Sequence, residues 1–234
     1  MMHFLFSIQL CSSYADSLFD IYVQTDGLSW DKGFNWFMSD DVCDFEGVSC
    51  SNGIVIGLDF TDFGLSGMLP DSIACFPGLK SFIASNNSLL LFPEQLCTYS
   101  DSLQYIQLSH ANLNGRVPEC ICQLQFLQYF SIDNNQLIGQ IPLCISSIQN
   151  LKEFIGTCNK FSGKMMGIVG PELENYFINC QKDIQCEERE GVVVMCGLGG
   201  NQLDYYTQEC RMCSYNCPHT QEITMCGKYF FIPK

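Results

Sequence analysis

The chain has 234 residues, of which 47% are hydrophobic, so it carries enough apolar side chains to bury a sizeable core. This composition excludes a mainly disordered protein. Acidic residues outnumber Lys and Arg by 25 to 11, which gives a formal net charge of -14. Because nucleic acids and anionic membrane surfaces repel such a chain, neither is an expected partner.

The first fifteen residues, MMHFLFSIQLCSSYA, predict a signal peptide. A short apolar run is followed by small residues, which fits cleavage after Ala15. The alternative is a frayed helix at a cytosolic N-terminus. The 16 cysteines favour export, because so many thiols are typical of disulfide-rich proteins in an oxidising compartment. We therefore expect a secreted, extracellular protein. Cleavage would also remove Cys11 and leave one cysteine unpaired or bonded to another chain.

A period of 24 residues runs through the middle of the chain, and its equivalent positions hold Phe63, Asn87, Ala111, Asn135 and Asn159. Three apolar rows keep the same register: Val55, Leu79, Leu103, Leu127 and Leu151; Leu58, Phe82, Ile106, Phe130 and Phe154; Leu65, Leu89, Leu113, Leu137 and Phe161. Stacked coils would join these rows into a core that no single coil could form. The inward asparagines are expected to hydrogen-bond the turn after each strand, and Phe63 and Ala111 interrupt that row.

The pattern Leu-x-x-Leu-x-Leu-x-x-Asn-x-Leu-x-Gly-x-Ile-Pro resembles the plant-type leucine-rich repeat, and it is clearest in residues 127–142. The resemblance implies an α/β solenoid. Its parts are a right-handed leucine-rich-repeat coil with a parallel β-sheet on the concave face, a capped N-terminus and a cysteine-rich C-terminal extension. The expected boundaries are a signal peptide at 1–15, an N-terminal cap at 16–54, five repeats at 55–170, and a C-terminal cap and extension at 171–234.

The segment in front of the repeats resembles the N-terminal cap of the same family. Residues 16–25 predict a short amphipathic helix, and two tryptophans follow it. The motif CDFEGVSC at residues 43–50 has Phe45 where the family commonly has Trp. We expect a disulfide between Cys43 and Cys50. Such a cap covers the apolar edge and the open strand of the first coil.

Other cysteines predict bonds between neighbouring coils. Cys120 and Cys144 occupy the same place in adjacent coils, which repeat at about 4.8 Å, so we expect a disulfide between them. Cys97 aligns with Cys122 and lies near Cys75 of the preceding coil. Either Cys75–Cys97 or Cys97–Cys122 would then form, or all three would stay buried and free.

Eight cysteines from Cys158 onwards follow a different spacing. We expect them to staple the end of the solenoid and the extension, with Cys180 and Cys186 as the most cap-like pair. A zinc site is the alternative for the last of them, with ligands from Cys210, Cys213, Cys217 or His219, and Cys226. An exported chain favours disulfides over zinc.

No residue pattern typical of catalysis occurs in the sequence. It contains no nucleophile elbow, phosphate-binding loop, pair of metal-ligand histidines or dinucleotide fingerprint. We therefore predict that the protein is not an enzyme and has no cofactor or metal site.

Outward side chains of the strands would form the functional surface of such a solenoid. Tyr105 and Tyr129 hold the same outward position on consecutive coils, and exposed tyrosines are good anchors because they offer a large rigid area and a hydroxyl. The alternative is that they only cover their cross-strand neighbours. The predicted ligand-binding residues are Ile83, Tyr105, Gln107, His110, Tyr129, Ser131, Asp133 and Glu153.

One N-glycosylation motif occurs, Asn86-Asn87-Ser88, and Asn86 falls on an outward row. A glycan there would cover the first two coils and leave the surface from Tyr105 onwards to a partner.

These features predict an extracellular, non-catalytic recognition module that binds a protein or peptide on its concave face. The resemblance implies a free-standing relative of receptor ectodomains or an inhibitor of a secreted enzyme. The alternative is a glycan-binding or structural protein of the extracellular matrix, because paired tyrosines beside polar side chains can stack on sugars. After the leader, no apolar run reaches the roughly 18 residues that a membrane span needs. We expect a monomer.

Overall fold

A computed structural model describes residues 11–99 and 102–164 and three short strands further on. The helices are α1 (Tyr14–Gln24), α2 (Gln95–Tyr99) and 3-10 helices at Gly27–Ser29, Val42–Asp44, Asp71–Cys75, Glu119–Gln123 and Leu143–Ser147. The strands are β1 (Val48–Ser51), β2 (Ile54–Asp59), β3 (Ser66–Gly67), β4 (Ser81–Ile83), β5 (Ser88–Leu89), β6 (Tyr105–Gln107), β7 (Tyr129–Ser131), β8 (Ile138–Gly139), β9 (Glu153–Ile155), β10 (Lys160–Phe161), β11 (Gly163–Lys164), β12 (Asn175–Ile178), β13 (Ile184–Gln185) and β14 (Val193–Cys196).

The main sheet has one strand per coil, in the order β1-β2-β4-β6-β7-β9-β12-β14. From β2 onwards all neighbours are parallel, and Leu58 pairs with Phe82, which pairs with Ile106, at the 24-residue spacing of the sequence. The predicted solenoid with a parallel sheet is therefore confirmed. The sheet also continues through β12 and β14, beyond the expected end of the repeats at residue 170. Cys180 and Cys186 lie outside the described residues.

The three apolar rows form one continuous core. All fifteen of their side chains are at most 2% exposed, so the inward positions predicted from the period are confirmed. Each fully buried Leu or Phe contributes about 1.5–3 kcal/mol, and no coil could gain this alone because its neighbours supply the covering surface.

The inward asparagines connect successive coils. The side-chain Oδ1 of Asn87 accepts from the backbone N–H of Leu65 at 2.8 Å, and its Nδ2 donates to the carbonyl of Phe60 at 2.8 Å. Both partners belong to the preceding coil. Asn135 and Asn159 make the equivalent bonds to the coils before them. The amides thus bond not only their own turns, as expected, but also the turn one coil earlier.

Because each amide bonds the preceding coil, the turns of coils without an asparagine still have hydrogen-bond partners for their backbone groups. Asn87 supplies the amide for the coil that contains Phe63. Asn135 does the same for the coil of Ala111, whose N–H donates to the Asn135 Oδ1 at 3.1 Å. A position of the row without an asparagine therefore removes an amide from the preceding coil, not from its own coil.

The N-terminal cap closes the first edge of the sheet. Strand β1 pairs antiparallel with β2, and the turn between them consists of Asn52 and Gly53, which both have positive φ (51° and 73°). Such an Asn-Gly pair favours a two-residue hairpin whose twist matches its strands. A disulfide joins Cys43 to Cys50 with a Cα–Cα distance of 5.7 Å. The cysteine-paired cap predicted from the sequence is therefore confirmed.

The residues around the expected cleavage after Ala15 form the start of a helix. Helix α1 begins at Tyr14, and the Ser13 hydroxyl caps it by accepting from the N–H of Asp16 at 3.0 Å. Cys11 forms a disulfide with Cys75. Cleavage after Ala15, which stays a prediction, would remove Tyr14 and Ala15 of α1, the Ser13 cap and this disulfide.

The prediction of a disulfide between Cys120 and Cys144 is wrong. Cys144 is bonded to Cys122. The reason is the direction of the equivalent side chains, because the sulfurs of Cys120 and Cys144 each lie 3.8 Å from a carbonyl oxygen of the preceding coil. Two side chains that both point backwards cannot face each other, and Cys144 meets a residue further along the preceding helix.

None of the three alternatives for Cys75, Cys97 and Cys122 occurs as stated, since two of these cysteines are bonded elsewhere. Cys75 is taken by Cys11, and Cys122 by Cys144, so Cys75–Cys97 and Cys97–Cys122 are both absent. Cys97, which is buried, is a free thiol.

Candidate binding surface on the concave face

Two rows of outward side chains cross the main sheet. The first, which we name the tyrosine row, consists of Gly57, Ser81, Tyr105, Tyr129 and Glu153. The second row consists of Asp59, Ile83, Gln107, Ser131 and Ile155. The register is the one expected from the 24-residue period, because side chains alternate between the core and the open face along each strand.

Tyr105 and Tyr129 stack face to face. Their ring centroids are 4.3 Å apart and the planes differ by 5°. Parallel strands lie about 4.8 Å apart, so the same side chain on consecutive coils stacks without strain. The Tyr105 hydroxyl donates to Oε1 of Gln107 at 2.8 Å, which fixes the ring along its own strand. Both residues are half-buried, so each keeps part of its surface exposed.

A shallow groove of about 440 Å³ surrounds this pair. Its walls are the tyrosine row from Ser81 to Glu153 and the residues just before it, namely Lys80, Gln104, Gln128 and Lys152. The last four were missed as candidates from the sequence. They recur at the 24-residue period one position before the tyrosine row, so the repeat register was the signal that could have located them.

Lys80 and Lys152 stand at the two ends of the groove. Both belong to the backbone ladder that joins the coils, since the N–H of Lys80 donates to the carbonyl of Ile56 at 2.8 Å and that of Lys152 donates to Gln128 at 2.9 Å. Glu153 is half-buried beside Lys152, and burial raises the pKa of its carboxyl group. The groove thus combines an aromatic centre with charged ends.

Ser131 does not contribute free surface, which corrects its assignment as a ligand-binding residue. It is only 1% exposed. Its hydroxyl donates to Oδ1 of Asp133 at 2.6 Å, and Ser109 donates to the same oxygen at 2.6 Å. Asn134 also donates to the other oxygen of this carboxylate. Small hydroxyl side chains are covered by this network, and the half-buried Asp133 is held by it.

The residues after the strands form a third regular row. Asp62, Asn86, His110, Asn134 and Cys158 all have left-handed backbone conformations, with φ between 54° and 57°. Asn, Asp and His tolerate this region better than most residues. His110 and Asn86 are exposed, and Ile83 and Gln107 are half-buried. Asn86 and Ser88 of the glycosylation motif are therefore accessible to solvent, whereas Asn87 between them is buried; a glycan on Asn86 stays a prediction.

We expect the hydroxyls of Tyr105 and Tyr129 to ionise at higher pH than ordinary tyrosines. Burial is the main cause that raises the pKa of both groups, and for Tyr129 the charge of an ionised Tyr105 adds to it. A folded pKa above the unfolded value means that these groups reduce stability as the pH rises past about 10. A pH titration of tyrosinate absorbance measures the ionisation of the two groups, as the difference between wild type and a Tyr105→Phe, Tyr129→Phe variant. A difference curve centred at or below about 10 would contradict the assignment.

One group of potential metal ligands occurs among the described residues, at Glu119, Cys122 and Cys144. Its two sulfurs are bonded to each other, so they offer no thiolate. Within the same part of the chain, none of the helices has the length and apolar character needed to cross a membrane.

One strand per coil, inward asparagines and an open parallel sheet together define a leucine-rich-repeat solenoid. A family model described as Leucine Rich Repeat matches residues 102–124 and 126–148. The chain belongs to the plant-type leucine-rich-repeat proteins.

Similar proteins include receptors and their ectodomains. Receptor protein kinase WSS1 of Oryza sativa subsp. japonica is 36% identical over 78 residues, which are 32% of this chain and 8% of the kinase. The BIR2 ectodomain from Arabidopsis thaliana is 33% identical with a TM-score of 0.58, over 63% of this chain and 81% of that one. The BIR3–SERK2 complex from the same plant is 25% identical with a TM-score of 0.59, over 80% and 95%. The match spans under a tenth of the receptor kinase and most of the solved ectodomains.

Proposed function

We propose that the protein is an extracellular, non-catalytic recognition module that binds a protein or peptide on its concave face. The stacked pair of Tyr105 and Tyr129 carries the proposal. Stacking and the bond to Gln107 already immobilise the rings, so a ligand that contacts their exposed edges would cost little additional side-chain entropy. Rigid aromatic residues of this kind are enriched among those that dominate binding energy.

The groove has the dimensions of a peptide site. Ser81 and Glu153 are three coils apart, or about 14 Å at the usual strand spacing, which matches about four residues of an extended chain. Its basic ends, Lys80 and Lys152, lie on a chain with a net charge of -14. A ligand carboxylate can form a charge-assisted hydrogen bond with either lysine, while the tyrosines contact an apolar or aromatic side chain.

The similar solved structures support a protein partner outside the cell. One is an ectodomain, and another is a complex of two proteins. The disulfides Cys11–Cys75, Cys43–Cys50 and Cys122–Cys144 agree with an oxidising compartment. We therefore infer that the protein is secreted and that its ligand is a protein or peptide.

The geometry favours a protein over a glycan. A sugar ring stacks on a free aromatic face, and the inner faces of Tyr105 and Tyr129 are covered by each other at 4.3 Å. The stack therefore offers fewer free ring faces to a sugar than two separate tyrosines would, while the hydroxyls and the rest of the rings can contact side chains and peptide groups of a protein ligand.

A capture experiment tests the proposal. Wild type and a Tyr105→Ala, Tyr129→Ala variant are each immobilised and exposed to extracellular extract, and retained molecules are quantified by mass spectrometry. Any candidate ligand is then purified and its affinity is measured by calorimetry. We expect the variant to bind about 30-fold more weakly, because anchor residues contribute about 2 kcal/mol or more.

A matched control removes similar exposed area from the opposite side of the coil. Phe126→Ala with Leu143→Ala changes two side chains that are 54% and 53% exposed, next to the 3-10 helices. This control should bind as wild type does. Equal affinity for the tyrosine variant, or retention of glycans alone, would refute the proposal.

A further inference from the structure

The free cysteines Cys97 and Cys120 lie on neighbouring coils, one in α2 and one in the 3-10 helix at Glu119–Gln123. Helix α2 packs against that 3-10 helix, so the two thiols lie at one contact between neighbouring coils. A disulfide that needs no movement of the backbone requires Cα atoms about 4.4–6.8 Å apart, and the bonded cysteines one coil later are 5.7 Å apart.

The next pair of coils contains the same arrangement in bonded form. Cys144 is bonded to Cys122, and its sulfur lies 3.8 Å from the carbonyl oxygen of Glu119. One coil earlier, the sulfur of Cys120 lies 3.8 Å from the carbonyl oxygen of Glu94. Glu119 stands three residues before Cys122.

Glu94 in turn stands three residues before Cys97. Cys97 and Cys120 therefore occupy the repeat positions that Cys122 and Cys144 occupy one coil later. We infer that Cys97 and Cys120 form a further disulfide, closed by exchange with an organic disulfide. This bond would join α2 to the following coil, and it lies on a different side of the molecule from the tyrosine row.

The exposure of the two sulfurs orders the reaction. Cys120 is partly exposed and Cys97 is 3% exposed, so an external disulfide reaches Cys120 first. The Cys120 thiolate attacks one sulfur of the reagent and releases one thiolate, which leaves a mixed disulfide. Cys97 loses its proton and attacks the Cys120 sulfur, which releases the second thiolate. The two protein thiols lose two protons and two electrons, and the reagent is reduced to two thiols.

Burial also sets the rate of this exchange. It raises the pKa of both thiols, and the thiolate is the attacking species. We therefore expect the bond to close slowly with a small reagent, on a time scale that a timed quench can follow.

Peptide mapping of the full chain tests the inference. The protein is incubated with oxidised glutathione, alkylated and digested with trypsin, which cuts after Lys80, Arg116 and Lys152. Peptide 81–116 contains only Cys97, whereas peptide 117–152 contains Cys120, Cys122 and Cys144. We expect the two peptides to be joined, and reduction to separate them. Recovery of 81–116 as a single alkylated peptide, or its attachment to any other peptide, overturns the inference.

Two matched variants identify the bonded atom. Cys120→Ser should abolish the link between the peptides, and Cys122→Ser should keep it. Fragmentation of the wild-type linked peptide between Cys120 and Cys122 gives the same information if either variant fails to fold. A link through Cys122 instead would overturn the pairing.

Discussion

Replacing Asn135 by alanine should lower the free energy of unfolding by about 4 kcal/mol. Its Oδ1 accepts from the N–H groups of Ala111 and Leu113, and its Nδ2 donates to the carbonyls of Leu108 and Ile132. Alanine leaves these groups without the amide in a site where the side chain is only 8% exposed. Each unsatisfied buried group costs about 1–3 kcal/mol, and partial relaxation keeps the total below the sum.

Denaturant unfolding followed by circular dichroism would measure this loss. The neighbouring Gln136 supplies the control, because it is exposed and its side-chain bonds are to exposed groups: Nε2 donates to Oδ1 of Asn112 at 2.7 Å, and Oε1 accepts from Nζ of Lys160 at 3.4 Å. Gln136→Ala should change the stability by less than about 0.5 kcal/mol. A loss below about 1 kcal/mol for Asn135→Ala would show that water or the backbone replaces the amide, contrary to the tight packing of the row.

The sequence predicted the parts of the fold that depend on period alone. Once five coils are in register, the alternation of side chains along a strand determines which positions face the core and which face outwards. That is why Leu58, Phe82 and Tyr105 lie where the period placed them. A regular backbone transmits the register from coil to coil without further information.

The sequence-based predictions that were wrong concern the direction and the size of side chains. Cys120 and Cys144 are equivalent positions, but equivalence does not say that each side chain leans towards the preceding coil. Ser131 is on an outward row, yet a small hydroxyl there is covered and bonded to Asp133. Lys80 was missed because it lies beside the outward row rather than in it. These details depend on rotamers and neighbours, which a repeat pattern does not contain.

The inward asparagines fix the spacing between strands on which the outward tyrosine stack depends. Asn87 and Asn135 bond each coil to the one before it, so the spacing between strands is fixed from within. That spacing holds Tyr105 and Tyr129 at 4.3 Å, where they stack and form the centre of the groove. A recognition surface built on strands is more precise than one built on loops because the ladder behind it cannot shift.

Removing the disulfide between Cys11 and Cys75 should cost about 4 kcal/mol, because the bond closes a loop with a sequence separation of 64. The reduced chain would gain that much conformational entropy on unfolding. A Cys11→Ala, Cys75→Ala variant avoids mispairing by a single leftover thiol. Its unfolding free energy is compared with wild type under the same denaturant series.

The Cys43–Cys50 disulfide is the internal control for loop size. Its sequence separation is 7, so Cys43→Ala with Cys50→Ala should cost only about 2.5 kcal/mol. N-terminal sequencing of the exported protein decides which state exists, since the first residue must be at or before Cys11 for the longer loop to close. A mature chain that starts at Asp16, or equal losses for the two double variants, would contradict the assignment of Cys11 to the cap. The stability lost when the Cys11–Cys75 disulfide is removed therefore shows whether the segment before α1 belongs to the folded protein or to a cleaved leader.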